Sequence, residues 1–116
     1  PDEIGLRLTQ LDYDRDMAFV ALTPQKALAG VARLAGEPDR TAAEYALVVR
    51  SDLGGRGIGA ALMNQLIGYA HADGIKRLNG MILAENRAMR SLVTRLGFAV
   101  EPMRDEPGVV MSRLDL

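Results

Sequence analysis

The stretch Val48-Val49-Arg50-Ser51-Asp52-Leu53-Gly54-Gly55-Arg56-Gly57-Ile58-Gly59, running on through an amphipathic segment to Tyr69, decides the fold. An apolar strand enters a turn with glycines at 54, 55, 57 and 59, and a helix leaves it. With four side chains gone, successive backbone N–H groups can converge at the positive end of that helix, which suits a pyrophosphate. No Lys-Ser/Thr pair closes a P-loop here, and the glycine spacing with its acidic follow-up is not the dinucleotide fingerprint. A tight strand-to-helix connection without a ligand is the plain alternative. Four glycines in six residues are costly for that purpose, at roughly 0.5–1 kcal/mol each against Ala where the backbone permits Ala.

Downstream, Ile58, Ala61, Leu62, Gln65, Leu66, Tyr69 and Ala70 follow the 3, 4, 3, 4 spacing of one buried helix face, and Gly74 supplies the stop. Residues 77–83 then read as a strand. Asn86 opens a second helix whose Met89, Leu92, Val93 and Leu96 share a face, and Gly97 closes it. Residues 98–100 and 109–114 read as the last strands, separated by a loop over 102–108. Upstream, residues 42–49, 28–34 and 17–22 read as strands, with a turn at Gly36-Glu37-Pro38-Asp39 and a polar corner at Tyr13-Asp14-Arg15. The segment 2–11, with Ile4, Leu6, Leu8 and Leu11, is assigned a short helix. Strands first, then strand, helix, strand, helix, strand, define an α/β fold with a mixed sheet.

A chain of 116 residues, 48% of them hydrophobic, forms one domain with a single core. The absence of cysteine excludes a disulfide scaffold, a thiolate zinc site and a cysteine acyl-enzyme, and no metal is expected. With 14 basic and 15 acidic residues there is no global field for nucleic acid, and three Tyr and two Phe offer little for base stacking. Pro1-Asp2-Glu3-Ile4 lacks the features of a signal peptide, and no apolar run reaches membrane-spanning length, so the expected location is cytoplasmic.

Taken together, the glycine turn, the Glu-bearing strand before it and Asn86-Arg87-Ala88-Met89 through Leu96-Gly97-Phe98 resemble the GNAT superfamily of acetyl-CoA-dependent N-acyltransferases over nearly the whole chain. Residues 11–18, Val49-Arg50-Ser51-Asp52-Leu53 and Lys76-Arg77-Leu78-Asn79-Gly80 resemble the bacterial Pat-type protein lysine acetyltransferases within it. The resemblance implies a mixed, mostly antiparallel sheet splayed at its central strands with flanking helices. The family's first strand and first helix have no counterpart here, and the chain is expected to be a domain excised from a longer one.

What the resemblance implies for the site follows residue by residue. Glu44 matches the catalytic glutamate. Val48 or Val49 would present a backbone N–H to the acetyl carbonyl, and Gly54, Gly55, Arg56, Gly57, Ile58 and Gly59 would hold the pyrophosphate of acetyl-CoA. Asn86 would touch the pantetheine arm besides capping its helix. Gly54 stands where members carry Gln, Arg or Lys, and Val93 where many carry a Tyr acid. The implied partners are a protein bearing a reactive lysine, an acyl-CoA synthetase being one candidate, and a linked synthetase-like or regulatory domain.

The chemistry is consistent with that set. A lysine amine, with a reference pKa near ~10.4, must lose a proton before attacking a thioester. Glu44 is the sole ionisable side chain in its strand besides Tyr45, and it shares a face with Ala46 and Val48, where partial desolvation would tune it as a base. A solvent-facing Glu is the alternative. The leaving thiol, near ~8.5, needs little help from an acid, so Val93 is tolerable. His71 lies off its helix's apolar stripe and is read as a surface histidine. Lys76, Arg77, Arg87, Arg90 and Arg95 are read as solvated, with Arg87 or Arg90 available to the 3′-phosphate of CoA. Two rival functions remain: acetylation of a small amine, and a CoA-sensing module without catalysis.

Overall fold

The computed structural model describes residues 7–12, 16–36, 41–53, 55 and 57–116. Seven strands form one sheet: β1 (Arg7–Asp12), β2 (Asp16–Leu22), β3 (Leu28–Gly36), β4 (Ala42–Val49), β5 (Arg77–Leu83), β6 (Ala99–Met103) and β7 (Glu106–Asp115). Their spatial order is β1-β2-β3-β4-β5-β7-β6. Every neighbouring pair is antiparallel except β4 and β5, which are parallel. Two helices provide the crossovers: α1 (Ile58–Ala72) joins β4 to β5, and α2 (Arg87–Arg95) joins β5 to β6. A parallel pair needs such a crossover, and a helix is its usual form.

Alternation along the strands separates two faces. On one face Phe19, Ala32, Leu34, Ala43, Tyr45, Leu78, Ile82 and Val110 pack under Ile58, Leu62, Met63, Leu66 and Ala70 of α1 and Val93 of α2. The Phe19 ring meets Tyr69 edge-on at 5.9 Å. The opposite face of the central strands carries no helix among the described residues, and Val48, Met81 and Leu83 are 69%, 65% and 57% exposed there. Both helices lie on the same side of the sheet. At Gly59 an added Cβ would fall 3.1 Å from Leu92 Cδ2 and 3.3 Å from Leu47 Cδ2, so this glycine lets α1 sit against α2 and β4 at once.

The fold corrects several expectations. Residues 7–12 form a strand, not the end of a helix; the ladder Arg7↔Leu22 to Asp12↔Met17 overrides a local pattern of no clear period. Leu8 packs on the core from this strand. The remainder of that expected helix, residues 2–6, lies outside the described residues, as do Tyr13-Asp14-Arg15 and residues 37–39 of the expected turn. Gly36 itself ends β3. Residues 102–108 are not a loop: β6 runs through Pro102 to Met103, and β7 begins at Glu106. Pro102 is tolerated because β6 is the sheet edge, and the register slips between Pro102 and Met103. In α1 the buried stripe takes in Met63, while Gln65 is exposed.

Candidate active site

The sheet opens between its two parallel strands. β4 and β5 pair at Ala42↔Arg77, Ala43↔Leu78 and Glu44↔Asn79, and no further rung follows. Beyond Glu44, β4 continues for five residues against β3 alone. The phase of that ladder is set by the Arg50 N–H, which donates to the Ala29 carbonyl at 2.9 Å. By alternation the backbone groups of Val48, Ala46 and Glu44 also face β3, whereas those of Leu47 and Val49 face the opening.

A buttress on the helix side holds the closed end of this wedge. The Tyr45 hydroxyl is hydrogen-bonded to Ser112 Oγ across the sheet, and Ser112 Oγ donates to the Gly80 carbonyl at 2.7 Å. Burial pushes the Tyr45 phenol above its ordinary range, with the Ser112 bond pulling the other way. Gly80 leaves room for the ring, which also packs on Phe98 with centroids 5.3 Å apart. Sequence reading missed this trio, because Tyr45, Gly80 and Ser112 converge only through the sheet order.

At the wide end, β4 passes through a 3-10 turn (Ser51–Leu53) to the glycines. Arg50 grips Asp52 in two bonds, at 3.0 and 2.6 Å, stiffening the exit. Gly55 and Gly57 have φ of 79° and 78°, a left-handed backbone that side chains other than Gly disfavour. Gly57 is the N-cap of α1, and its first turn has no side-chain cap. The N–H groups of that turn are thus left to whatever lies before the helix. Gly54 and Arg56 lie outside the described residues. Gly59, expected as a phosphate contact, has a packing reason of its own against Leu47 and Leu92.

Other candidates fall out variously. Glu44, Ala46 and Val48 share the face without helices, and all three are exposed; the desolvation expected around Glu44 is absent, because no described element packs over it. Asn86 is a helix cap: the Met89 N–H donates to its Oδ1 at 3.1 Å, while the side chain remains exposed. Val93, standing where the family's tyrosine would, is fully buried. His71 is exposed. Arg87, Arg90 and Arg95 line an open depression with Ser91, Thr94 and Val100, and Arg90 Nη1 donates to the Ala84 carbonyl at 2.9 Å. Arg77 pairs with Asp115 at 2.9 Å. Among the described residues no helix is long and apolar enough to cross a membrane.

A mixed sheet wedged open at its one parallel pair, with a glycine turn and an uncapped helix start at the mouth, defines an acyltransferase-type scaffold, and comparison with known proteins agrees. Residues 1–98 match the model of the acetyltransferase (GNAT) family, and the chain belongs to that family. It is 34% identical over 113 residues to an acetyltransferase of Pseudomonas aeruginosa, spanning 95% of this chain and 61% of that protein. Over 76 residues it is 43% identical to acetyltransferase Pat of Mycolicibacterium smegmatis, spanning 66% of this chain and 22% of that one. Among solved structures, a cAMP-binding acyltransferase from Mycobacterium smegmatis superposes with a TM-score of 0.76 at 34% identity, over 90% of this chain and 32% of the other. The chain therefore spans less than two thirds of these relatives, and the GNAT fold with Pat-type relatives is what it shares with them.

Proposed function

We propose that the chain carries a protein lysine N-acetyltransferase activity, moving acetyl from acetyl-CoA to a lysine ε-amine by direct attack in a ternary complex. The observation that carries this reading is the opening of β4 from β5 directly beyond Glu44, leading to the turn at Gly55 and Gly57. The family uses acetyl-CoA, and the residues present fit it. Left-handed glycines and an uncapped helix start offer N–H donors to a pyrophosphate, through Gly55, Gly57, Ile58 and Gly59 with Gly54 and Arg56 between and beside them. The strand edge facing the gap offers backbone amide partners to an extended, amide-bearing arm, near Val48, Val49 and Asn86.

Acetyl-CoA supplies the acetyl group as an activated thioester. Glu44 takes a proton from the lysine ammonium, directly or through water, and the freed amine forms the N–C bond as the C–S bond breaks. The thiolate leaves with the electron pair, and the second proton lost by the acylated nitrogen passes to that thiolate, directly or through water, so that it departs as the thiol. Of the two backbone donors considered for the oxyanion, Val49 is preferred, since its N–H faces the opening and that of Val48 faces β3. Val93 offers no proton, which a thiolate leaving group does not require.

The relatives named Pat, together with the paired exposure of Glu44 and the neighbouring apolar Val48, favour a macromolecular over a buried small-amine acceptor. Glu44→Gln tests the reading. Turnover on lysine-bearing protein should fall by about a hundredfold or more, with acetyl-CoA affinity, measured by titration calorimetry, nearly unchanged. Undiminished activity in that variant would remove Glu44 from the mechanism. The exposure of Glu44 and the buried Val93 favour one other reading, a CoA-binding module without catalysis. It predicts tight acetyl-CoA binding with no transfer even in the parent chain.

A further inference from the structure

The last rung before the strands part joins Glu44 to Asn79. At this level the face without helices reads Ala35 on β3, Glu44 on β4, Asn79 on β5 and Arg113 on β7. The described charged neighbours of Glu44 on this face, Arg33, Arg77 and Arg113, are committed elsewhere. Arg33 of β3 meets Asp16 at 3.9 Å, Arg77 of β5 meets Asp115 at 2.9 Å, and Arg113 of β7 meets Glu101 at 3.5 Å. Among the described residues, neither Glu44 nor Asn79 has a hydrogen-bond or ion-pair partner. They are two polar side chains left over, side by side, at the apex of the opening.

Adjacent strands run about 4.8 Å apart, so in-register side chains on one face are neighbours. Asn79 is half-buried, which limits its swing, while Glu44 is exposed. Asn is a poor strand former, so β5 gains nothing in strand propensity from it. An amide has two N–H donors for a carboxylate and no charge. An Arg or Lys here would hold the carboxylate ionised and blunt it as a base, an Asp would repel it, and an apolar residue would leave it to rotate freely.

We propose that Asn79 is a positioning residue: the two side chains are not bonded in this structure, and the exposed Glu44 side chain turns to accept from the half-buried Asn79 amide, which then holds the carboxylate at the closed end of the β4–β5 opening, facing the incoming amine. This role rests on Glu44 being the base. Asn79→Ala frees the carboxylate, and acetyl transfer should lose about tenfold in kcat with the KM for acetyl-CoA unmoved. Asn79→Asp places a second negative charge about 5 Å away. The Glu44 titration, followed by carbon-detected NMR of its carboxylate, should move to higher pH by about half a unit or more, and the acid limb of the kcat/KM profile should move with it. Added salt should shrink the displacement.

Thermal midpoints near that of the parent chain make the comparison fair, and should Asn79→Asp fail to fold, the Glu44 titration in Asn79→Ala decides. There, loss of the donor raises it. Glu44 titrations that coincide in the parent and both variants would overturn the contact. Full activity in Glu44→Gln would instead overturn the base itself, and the NMR titration separates the two failures.

Discussion

Substituting Gly80 by Ala tests whether the buttress behind the candidate site is as tight as its geometry requires. A Cβ at this position would lie 2.6 Å from Tyr45 Cζ and 2.8 Å from Cδ1, with Cε1 nearer still. Ordinary contact begins near ~3.4 Å, so the ring would have to retreat by roughly 1 Å. It has nowhere to go without loss. Its hydroxyl is bonded to the fully buried Ser112, and its other edge meets Phe98 at 5.3 Å. Overpacking costs about 1–3 kcal/mol, and parting the two hydroxyls would add about 1–3 kcal/mol for groups left unmatched. We expect a net loss of about 2–4 kcal/mol, near 10 °C in thermal midpoint for a chain of this size. The sign is informative, because Gly to Ala in a strand would otherwise favour folding. The assay is a cycle of thermal and urea unfolding with Tyr45→Leu, which removes ring and hydroxyl together. Gly80→Ala should then cost little in the Tyr45→Leu background. An equal cost in both backgrounds, or a cost below about 0.5 kcal/mol in the parent, would refute the reasoning.

Other consequences are simpler. Tyr45 has its phenol raised above the ordinary 10.0 by burial, so as pH climbs past about 10 the unfolded chain loses this proton first. The stability Tyr45 contributes is whole below that pH and is lost as pH rises on through the folded value. Tyr45→Phe should flatten the alkaline fall in urea midpoint, and an unchanged slope would deny the shift. Asn86→Ala removes the acceptor of the Met89 N–H and should cost about 1 kcal/mol, read as a lower thermal midpoint; α2, with nine residues, is too short to hold its first turn unaided.

What the chain disclosed in advance depended on whether the deciding contacts were local. β4, α1, β5 and α2 stand where periodicity and caps placed them, because Gly57 and Gly97 mark helix ends through their left-handed backbone and Asn86 through its side-chain cap. Residues 7–12 misled because their strand exists only through pairing with β2. Pro102 misled in the same way: it signals a break unless the strand is known to be an edge. Glu44 was picked out by its match to the family's glutamate, yet its exposure depends on what packs above the sheet, which no local pattern records. The place of Asn79 beside Glu44 was not legible, since the register of two parallel strands joined through a helix is fixed by the crossover.

The wedge itself has a physical logic that links these parts. Two parallel strands that diverge leave backbone donors and acceptors without partners, which a sheet tolerates only where water or a ligand takes them up. The Tyr45–Ser112–Gly80 contacts pin the strands together on the helix side one residue beyond the last rung. On the opposite face, at the last rung itself, stand Glu44 and Asn79, uncommitted among the described residues, while the described arginines around them, Arg33, Arg77 and Arg113, are paired. The residue that bolts the sheet and the residue proposed to move the proton are consecutive in β4, pointing to opposite sides. A displacement of Tyr45 must therefore twist the backbone that aims Glu44, so Gly80→Ala should lower turnover by more than its loss of folded protein accounts for.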